Sequence, residues 1–310
     1  AKVLQLANDD PDNLFCMFFP TLPSNSNGAP HILEHIVLAG SKKYPIKDPF
    51  FSMTRRSLNT FMNAMTGSDF TCYPASSLVP QDFYNLLEVY LDAVFYPQLK
   101  KESFEQEGHR LEFTKMDDAA TPLLYKGVVY NEMKGALANP EERLYHAVME
   151  KLLPQLPYAY DSGGEPQDII QLSYEELRQF HKTFYHPSRC TFFFYGNLPL
   201  EKHLDFIEEK VLKDQWPPLP AFQPLKRQKR FTEPVLFSAT YPTAGEEKTT
   251  SHSFIALSFL TCPAAEQEEV LALTLLESIL MQSDASPLKL AILQSKLCHE
   301  ASSFLETELS

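Results

Sequence analysis

Gly28-Ala29-Pro30-His31-Ile32-Leu33-Glu34-His35 is the stretch around which this chain is best understood. If the stretch is helical, His31 and His35 lie one turn apart on the same face, so both imidazoles can reach one metal ion. Glu34 lies three residues after His31 and one before His35, beside that face, where its carboxylate can address a water molecule on the metal. The spacing therefore predicts a metal-binding helix.

Local signals also favour a helix here. Ser26 or Asn27 can cap its start, Pro30 suits the first turn, and Gly40 suits the end. The side chains available to bury the helix are Ile32, Leu33, Ile36, Val37 and Leu38. The alternative is a buried helix with two hydrogen-bonded histidines and no metal.

His31, Glu34 and His35 form the inverted zinc-peptidase motif HxxEH. A catalytic zinc takes three protein ligands and leaves one position open, so a third ligand must come from elsewhere. The candidates in the sequence are Glu105, Glu107, His109, Glu112, Glu132 and His146. Glu132 stands out because it lies mid-helix between apolar neighbours, where a carboxylate is costly to bury unless it is paired or bound to metal. The alternative is a surface glutamate on an amphipathic helix, so the sequence alone leaves this choice open.

Composition limits the remaining classes. The 310 residues carry a formal charge of −13, which argues against general nucleic-acid binding. An acidic surface can attract basic peptides as partners, and the stronger alternative is an acidic surface that serves only solubility. No apolar run is long enough to span a membrane. The five cysteines are scattered without a CxxC pair, which excludes a cysteine zinc site and suits a reducing, intracellular compartment.

Residues 1–215 alternate strand and helix patterns in an order typical of an α+β domain, with a mixed or antiparallel sheet covered by helices. Within this region, Pro122 to Leu137 and Leu200 to Lys213 are each predicted to be one helix. A proline-rich linker is expected at 216–234. A second α+β domain begins at 235, with strands near Val235–Ala239 and Ser253–Leu260 before a helix from Ala264 to Met281.

The chain begins in a strand pattern and ends inside a helical one at Ser310, so we expect a fragment of a longer protein. This expectation leaves the compartment unknown: cytoplasmic for a bacterial protein, an organelle matrix for a eukaryotic one.

The sequence resembles the pitrilysin/insulinase family of zinc metalloproteases, the inverzincins, and within it the presequence-protease and falcilysin branch. The likeness runs in order to about residue 215 and corresponds to the N-terminal portion of that family. The segments that carry it are His31–His35, Gly40–Pro45, Asp48–Phe51, Ser57–Ala64, Lys126–Gly135 and Ser162–Pro166. It implies a fold like that of the mitochondrial processing peptidase, followed by the start of a second similar domain.

The resemblance implies roles for particular residues. The family's third zinc ligand is the glutamate of the Asn-Glu-Met-Lys-Gly segment, here Glu132, and Glu34 would activate a zinc-bound water. The strand Phe61-Met62-Asn63-Ala64 would receive an extended peptide as an added strand. Phe50 and Phe51 would line the pocket for the residue after the scissile bond, with a role in the core as the alternative.

The expected function is therefore a zinc-dependent metalloendopeptidase that hydrolyses short unstructured peptides. The alternative is a non-catalytic peptide-binding or structural subunit of the same fold. In the family a second, C-terminal half closes over the first and helps to grip substrate, so that missing half is an expected partner. We expect the 310 residues alone to hold zinc but to cleave peptides poorly.

Overall fold

The computed structural model describes residues 1–242, 253–307 and 309. Its residues divide into two compact units. The first comprises Ala1–Pro224 with Pro234–Ala256, and the second comprises Leu225–Glu233 with Leu257–Ser310. The predicted boundaries at 215 and 234 stay predictions. No helix in the described part of the chain is long and apolar enough to cross a membrane.

A mixed sheet forms the centre of the first unit, as the alternating patterns predict. Its strands are β1 (Lys2–Ala7), β2 (Asn13–Pro20), β3 (Asn59–Met62), β4 (Met65–Thr66), β5 (Phe70–Ser77) and β8 (Thr191–Gly196). A separate two-stranded sheet consists of β6 (Arg110–Phe113) and β7 (Leu123–Lys126). The strand order of the mixed sheet is β1-β8-β2-β5-β3, with β4 also paired to β5. Only β1 and β8 run parallel in this sheet as described. The predicted α+β class is confirmed.

Helices cover one face of this sheet. In the first unit they are α1 (Ala29–Val37), α2 (Pro49–Arg56), α3 (Pro80–Phe95), α4 (Lys101–Glu107), α5 (Val128–Ala136), α6 (Pro140–Leu152), a 3₁₀ turn (Pro157–Ala159), α7 (Pro166–Ile169), α8 (Tyr174–Phe184) and α9 (Leu200–Ile207). The core forms where every second residue of β2 meets these helices: Phe15 packs edge-on against Phe83 and Tyr90 of α3 at 5.5 and 5.4 Å.

Two predicted helices in the first unit are only partly correct. Leu123–Lys126 is strand β7, because it pairs antiparallel with β6, and the helix begins only after Gly127. The helix from Leu200 ends as an α-helix at Ile207 and widens into a π turn over Glu208–Leu212. In both segments, tertiary pairing or packing overrides a local pattern that also suits a continuous helix.

The second unit contains the helices α10 (Gln267–Met281) and α11 (Pro287–Gln294). The strands predicted at Val235–Ala239, in the first unit, and at Ser253–Leu260, which spans parts of both units, are wrong: neither segment is a strand. Leu236 and Ile255 are 97% and 88% exposed. A strand exists only through hydrogen bonds to a neighbour, and no strand of the described chain lies beside these two segments.

Candidate metal centre

The helix α1 begins differently from its sequence signals. Its first-turn proline is in place, but Gly28 occupies the N-cap position with φ of 70° and ψ of 15°, a left-handed conformation that favours glycine. Asn27 does not cap the helix; its side-chain oxygen accepts a bond from the amide of Ala29 at 3.1 Å. The predicted cap by Ser26 or Asn27 is therefore wrong, while the predicted helix is correct.

Each histidine of α1 has its inner ring nitrogen engaged. Nδ1 of His31 donates to the carbonyl oxygen of Gly163 at 3.3 Å, and Nδ1 of His35 donates to Oε2 of Glu107 at 3.0 Å. When Nδ1 carries the proton, Nε2 holds the free lone pair that binds metal. Both imidazoles thus present Nε2 as a ligand atom, and their ring centres lie 5.0 Å apart.

Glu132 of α5 completes the cluster. Its Oε2 lies 3.8 Å from Nε2 of His31 and 4.0 Å from Nε2 of His35. One ligand atom from each of the three residues lies within 4.8 Å of the other two. Zinc bonds of about 2.0–2.2 Å in tetrahedral geometry place ligand atoms roughly 3.4 Å apart, so this donor set fits zinc after a small inward movement.

Glu132 does not lie among the apolar neighbours that the sequence pattern predicted for it. Its side chain is 53% exposed, and in α5 only Val129 and Met133 are buried. The carboxylate is therefore at the edge of the helix rather than among apolar neighbours. Its exposure leaves it free to make the inward movement, whereas a packed carboxylate would resist it.

Two glycines bring α5 close to the histidines. Gly127 is the N-cap of α5, and a Cβ atom there would lie 1.9 Å from the carbonyl oxygen of Gly108, at the end of α4. No side chain fits at that distance. Because α4 also carries Glu107, this backbone contact fixes the positions of Glu107 and Glu132 relative to one another.

The other candidate ligands have different partners. Glu107 accepts the hydrogen bond from Nδ1 of His35 that is described above. Exposed Glu105 pairs with Lys101 at 3.5 Å, and Glu112 pairs with Arg110 at 2.7 Å and Lys126 at 2.8 Å. His109 donates to the carbonyl oxygen of Leu172 at 2.8 Å, and His146 lies 3.6 Å from Asp161. None of these five joins the three-residue cluster in the part of the chain that is described.

Glu34 is held beside the cluster by strand β4. The hydroxyl of Thr66 donates to Oε2 of Glu34 at 2.5 Å, and this carboxylate is partly buried. Glu34 and His31 both line a cavity of about 320 Å³ together with Thr66, Gly67 and Ser68. The carboxylate of Glu34 therefore has one oxygen held by Thr66 and lines the same cavity as His31.

The segment Ser162-Gly163-Gly164-Glu165 supports His31 through close backbone packing. A Cβ atom on Gly164, whose φ is 102°, would lie 2.7 Å from the Cα of Gly28. The amide of Glu165 donates to the carbonyl oxygen of Ser26 at 2.8 Å. These contacts place the carbonyl oxygen of Gly163 within hydrogen-bonding distance of Nδ1 of His31.

Sequence reasoning did not assign Thr66, Gly163 or the supporting role of Glu107. The segment containing Gly163 carried part of the family resemblance, which was a signal of its importance but not of its role. Thr66 had no distinguishing signal, since a threonine in a short strand is ordinary.

Three carboxylates lie near His35 and raise the pKa of its imidazole. Burial lowers the pKa of its imidazole, but the hydrogen bond that His35 donates to Glu107 and the negative charges of Glu34, Glu107 and Glu132 outweigh burial, so the pKa is raised overall. The same hydrogen bond lowers the pKa of Glu107, and this effect is larger than the opposing effect of burial, which raises it. The site thus favours a cation among its carboxylates.

Four of the residues predicted to contact substrate lie in or directly after the edge strand β3. Strand β3, which includes Phe61 and Met62, is at the end of the strand order, and Phe61 is 44% exposed. Asn63 and Ala64 follow β3, with the Asn63 amide bonded to the carbonyl of Pro74 at 3.1 Å. The edge position leaves one side of β3 without a paired strand among the described residues.

The two phenylalanines of α2 differ in their surroundings. Phe51 is 61% exposed, whereas Phe50 packs against the core with its ring centre 6.2 Å from that of Tyr90. Neither residue lines the cavity beside His31 and Glu34. Their predicted role in substrate binding stays a prediction, with Phe51 the better placed of the two.

Two parts of the chain match one peptidase family. Residues 23–141 match the family described as Insulinase (Peptidase family M16), and residues 171–309 match the Peptidase M16 inactive domain. All three members of the cluster, and Glu34, fall within the first match.

Several curated relatives are similar along nearly the whole chain. The mitochondrial presequence protease of Mus musculus is 46% identical over 298 residues, which are 96% of this chain and 29% of that protein. Protein HypA of Clostridium perfringens (strain 13 / Type A) is 43% identical over 298 residues, 95% of this chain and 30% of that protein. Presequence protease 1, chloroplastic/mitochondrial, of Arabidopsis thaliana is 39% identical over 299 residues, 96% of this chain and 27% of that protein.

Among solved structures, pitrilysin aligns with a TM-score of 0.53 at 21% identity, covering 71% of this chain and 23% of that chain. This likeness supports the fold alone. The chain spans about three-tenths of the length of the curated relatives it matches.

Proposed function

Because this chain belongs to peptidase family M16, the insulinase family, we propose that it forms the zinc-binding part of a metalloendopeptidase for short unstructured peptides. The observation that carries the proposal is the convergence of Nε2 of His31, Nε2 of His35 and Oε2 of Glu132 from two helices, with Glu34 alongside. When bound by these residues, zinc polarises a carbonyl oxygen and lowers the pKa of a water molecule.

Glu34 is the general base of the proposed reaction. Thr66 donates to its Oε2, so Oε1 is the atom that takes the proton from the attacking water. The same oxygen then delivers that proton to the amine that leaves when the peptide bond breaks. The hydrogen bond from Thr66 restricts rotation of the carboxylate, which leaves Oε1 available for both proton transfers.

Strand β3 is the proposed docking edge for the peptide. An extended peptide that pairs with an edge strand is held by its backbone, so affinity depends little on its side chains. Phe61 and Met62 lie on this edge, and the 44% exposure of Phe61 leaves its ring available for contact. The formal charge of −13 favours peptides with basic residues.

The second candidate is a peptide-binding or structural subunit without catalysis. It is favoured by the match of residues 171–309 to a domain described as inactive. It is weakened because His31, Glu34, His35 and Glu132 are all present and all precede that match.

The Glu34→Gln variant of the full-length protein tests the proposal. Removing the general base is expected to lower the rate of hydrolysis of a quenched fluorescent peptide by about 10²–10⁴-fold. Zinc content, measured by elemental analysis, should stay at one ion per chain because Glu34 is not among the ligands. Glu105→Gln, an exposed change away from the cluster, serves as the control and should alter neither quantity.

Undiminished hydrolysis by Glu34→Gln would overturn the assignment of the base. Carefully purified wild-type protein that holds no zinc and cleaves no peptide would instead support the subunit without catalysis.

A further inference from the structure

The cavity beside His31 and Glu34 contains a carboxylate that the proposed reaction does not use. Asp161 lines this cavity of about 320 Å³, and its side chain is 10% exposed. Its Oδ1 accepts a bond from the amide of Gly163 at 2.8 Å. Its Oδ2 is buried and has no hydrogen-bond partner among the described residues. A buried carboxylate oxygen without a partner is costly, so a donor group that enters the cavity and reaches Oδ2 removes that cost.

The neighbouring charges leave Asp161 without a full counter-ion. The nearest cationic candidate, His146, keeps its Nε2 at 3.6 Å from Oδ2, beyond hydrogen-bonding distance. Arg143 is directed elsewhere, to Oε2 of Glu165 at 3.4 Å. A negative charge therefore remains on the cavity wall.

The rest of the wall suits the stem of a long basic side chain. Met133 and Met149 line the cavity and supply flexible apolar contacts, and Tyr160, which is 41% exposed, also lines it and is an aromatic partner for a cation. A volume of about 320 Å³ lies at the small end of the range for ligand pockets, about 300–1,000 Å³, which fits one side chain rather than a whole ligand.

We propose that Asp161 determines specificity by selecting an arginine or lysine side chain next to the scissile bond. The guanidinium or ammonium group donates to Oδ2 of Asp161, while the stem of the side chain lies between the methionines and the tyrosine. The proposal rests on the proposed peptidase function, because the cavity shares His31 and Glu34 with the reacting centre.

Asp161→Asn separates this role from a structural one. Asparagine keeps Oδ1 as the acceptor for the amide of Gly163 and replaces only Oδ2 with an NH₂ group, so the loop is preserved and the charge is lost. The probes are peptides that differ at one position flanking the scissile bond, each side in turn, and carry arginine or its neutral isostere citrulline there. Mass spectrometry of the products fixes the cleaved bond.

In the full-length wild-type protein, kcat/KM for the arginine peptide should exceed that for the citrulline peptide by about tenfold or more at one flanking position. In Asp161→Asn this ratio should fall to about one, with kcat/KM for the citrulline peptide unchanged. A ratio near one in the wild type, or one that survives in the variant, overturns the proposal. An equal loss for both peptides also overturns it, because that result is a structural effect.

If the wild-type protein cleaves neither peptide, the proposed function has failed, and binding decides this inference separately. Fluorescence anisotropy with the same labelled peptides should then show tighter binding of arginine than of citrulline by about tenfold, lost in Asp161→Asn. Equal affinities would overturn it.

Discussion

Replacing Glu107 by alanine tests whether the carboxylate behind His35 supports the metal site. Oε2 of Glu107 lies 3.0 Å from Nδ1 of His35, and its side chain is only 16% exposed, so solvent screens the contact weakly. A hydrogen bond to a charged group contributes about 1.5–3 kcal/mol. Removing such a partner of a ligating histidine typically weakens metal binding by about 10–100-fold, which is about 1.4–2.7 kcal/mol. The two figures agree.

Zinc affinity is measured by competition with a chromophoric chelator at constant pH. Glu107→Ala should raise the Kd for zinc by about 10–100-fold, and Glu107→Gln, which keeps an acceptor for Nδ1 but loses the charge, should lie between it and the wild type. The matched control is Glu105→Ala on the same helix, where the carboxylate is exposed and pairs with Lys101. If Glu107→Ala and Glu105→Ala bind zinc equally well, the supporting role of Glu107 is refuted.

Three further predictions concern packing, protonation and turnover. Gly127→Ala should destabilise the protein by about 1–3 kcal/mol in urea unfolding, because its Cβ would meet the carbonyl of Gly108; Gly135→Ala, with nothing within 4 Å, should stabilise it by about 0.5–1 kcal/mol, and equal effects would contradict the close approach. Burial, against a bond to the carbonyl of Val94, lowers the pKa of His181 to about 4. The unfolded imidazole titrates near 6.5, so between pH 6.5 and pH 4 the unfolded state binds a proton that the folded state does not. The free energy of unfolding therefore falls by about 2 kcal/mol from pH 7 to pH 5. His181→Gln should remove this contribution to the pH dependence of stability, and an unchanged pH dependence would contradict the prediction. The 310 residues alone should bind zinc but hydrolyse a quenched peptide far more slowly than the full-length protein, and comparable turnover would disprove this.

Local patterns in the sequence predicted much of the fold. The alternation in β2 follows from the two-residue period of a strand, and the Ser173–Glu176 capping box at the start of α8 forms as its spacing indicates. Where the prediction was wrong, the outcome depended on a distant partner. Leu123–Lys126 is a strand because β6 lies beside it. Val235–Ala239 is not a strand because none of the described strands lies beside it.

The candidate site divides in the same way. The sequence by itself determined that His31 and His35 share one helical face with Glu34 beside it, because the period of a helix fixes positions four residues apart. Family resemblance added Glu132. Only the tertiary structure decided that Glu107 holds His35 from 72 residues away and that Gly163 holds His31 from 132 residues away. Such contacts depend on the close backbone approaches at Gly127 and Gly164, which no local spacing encodes.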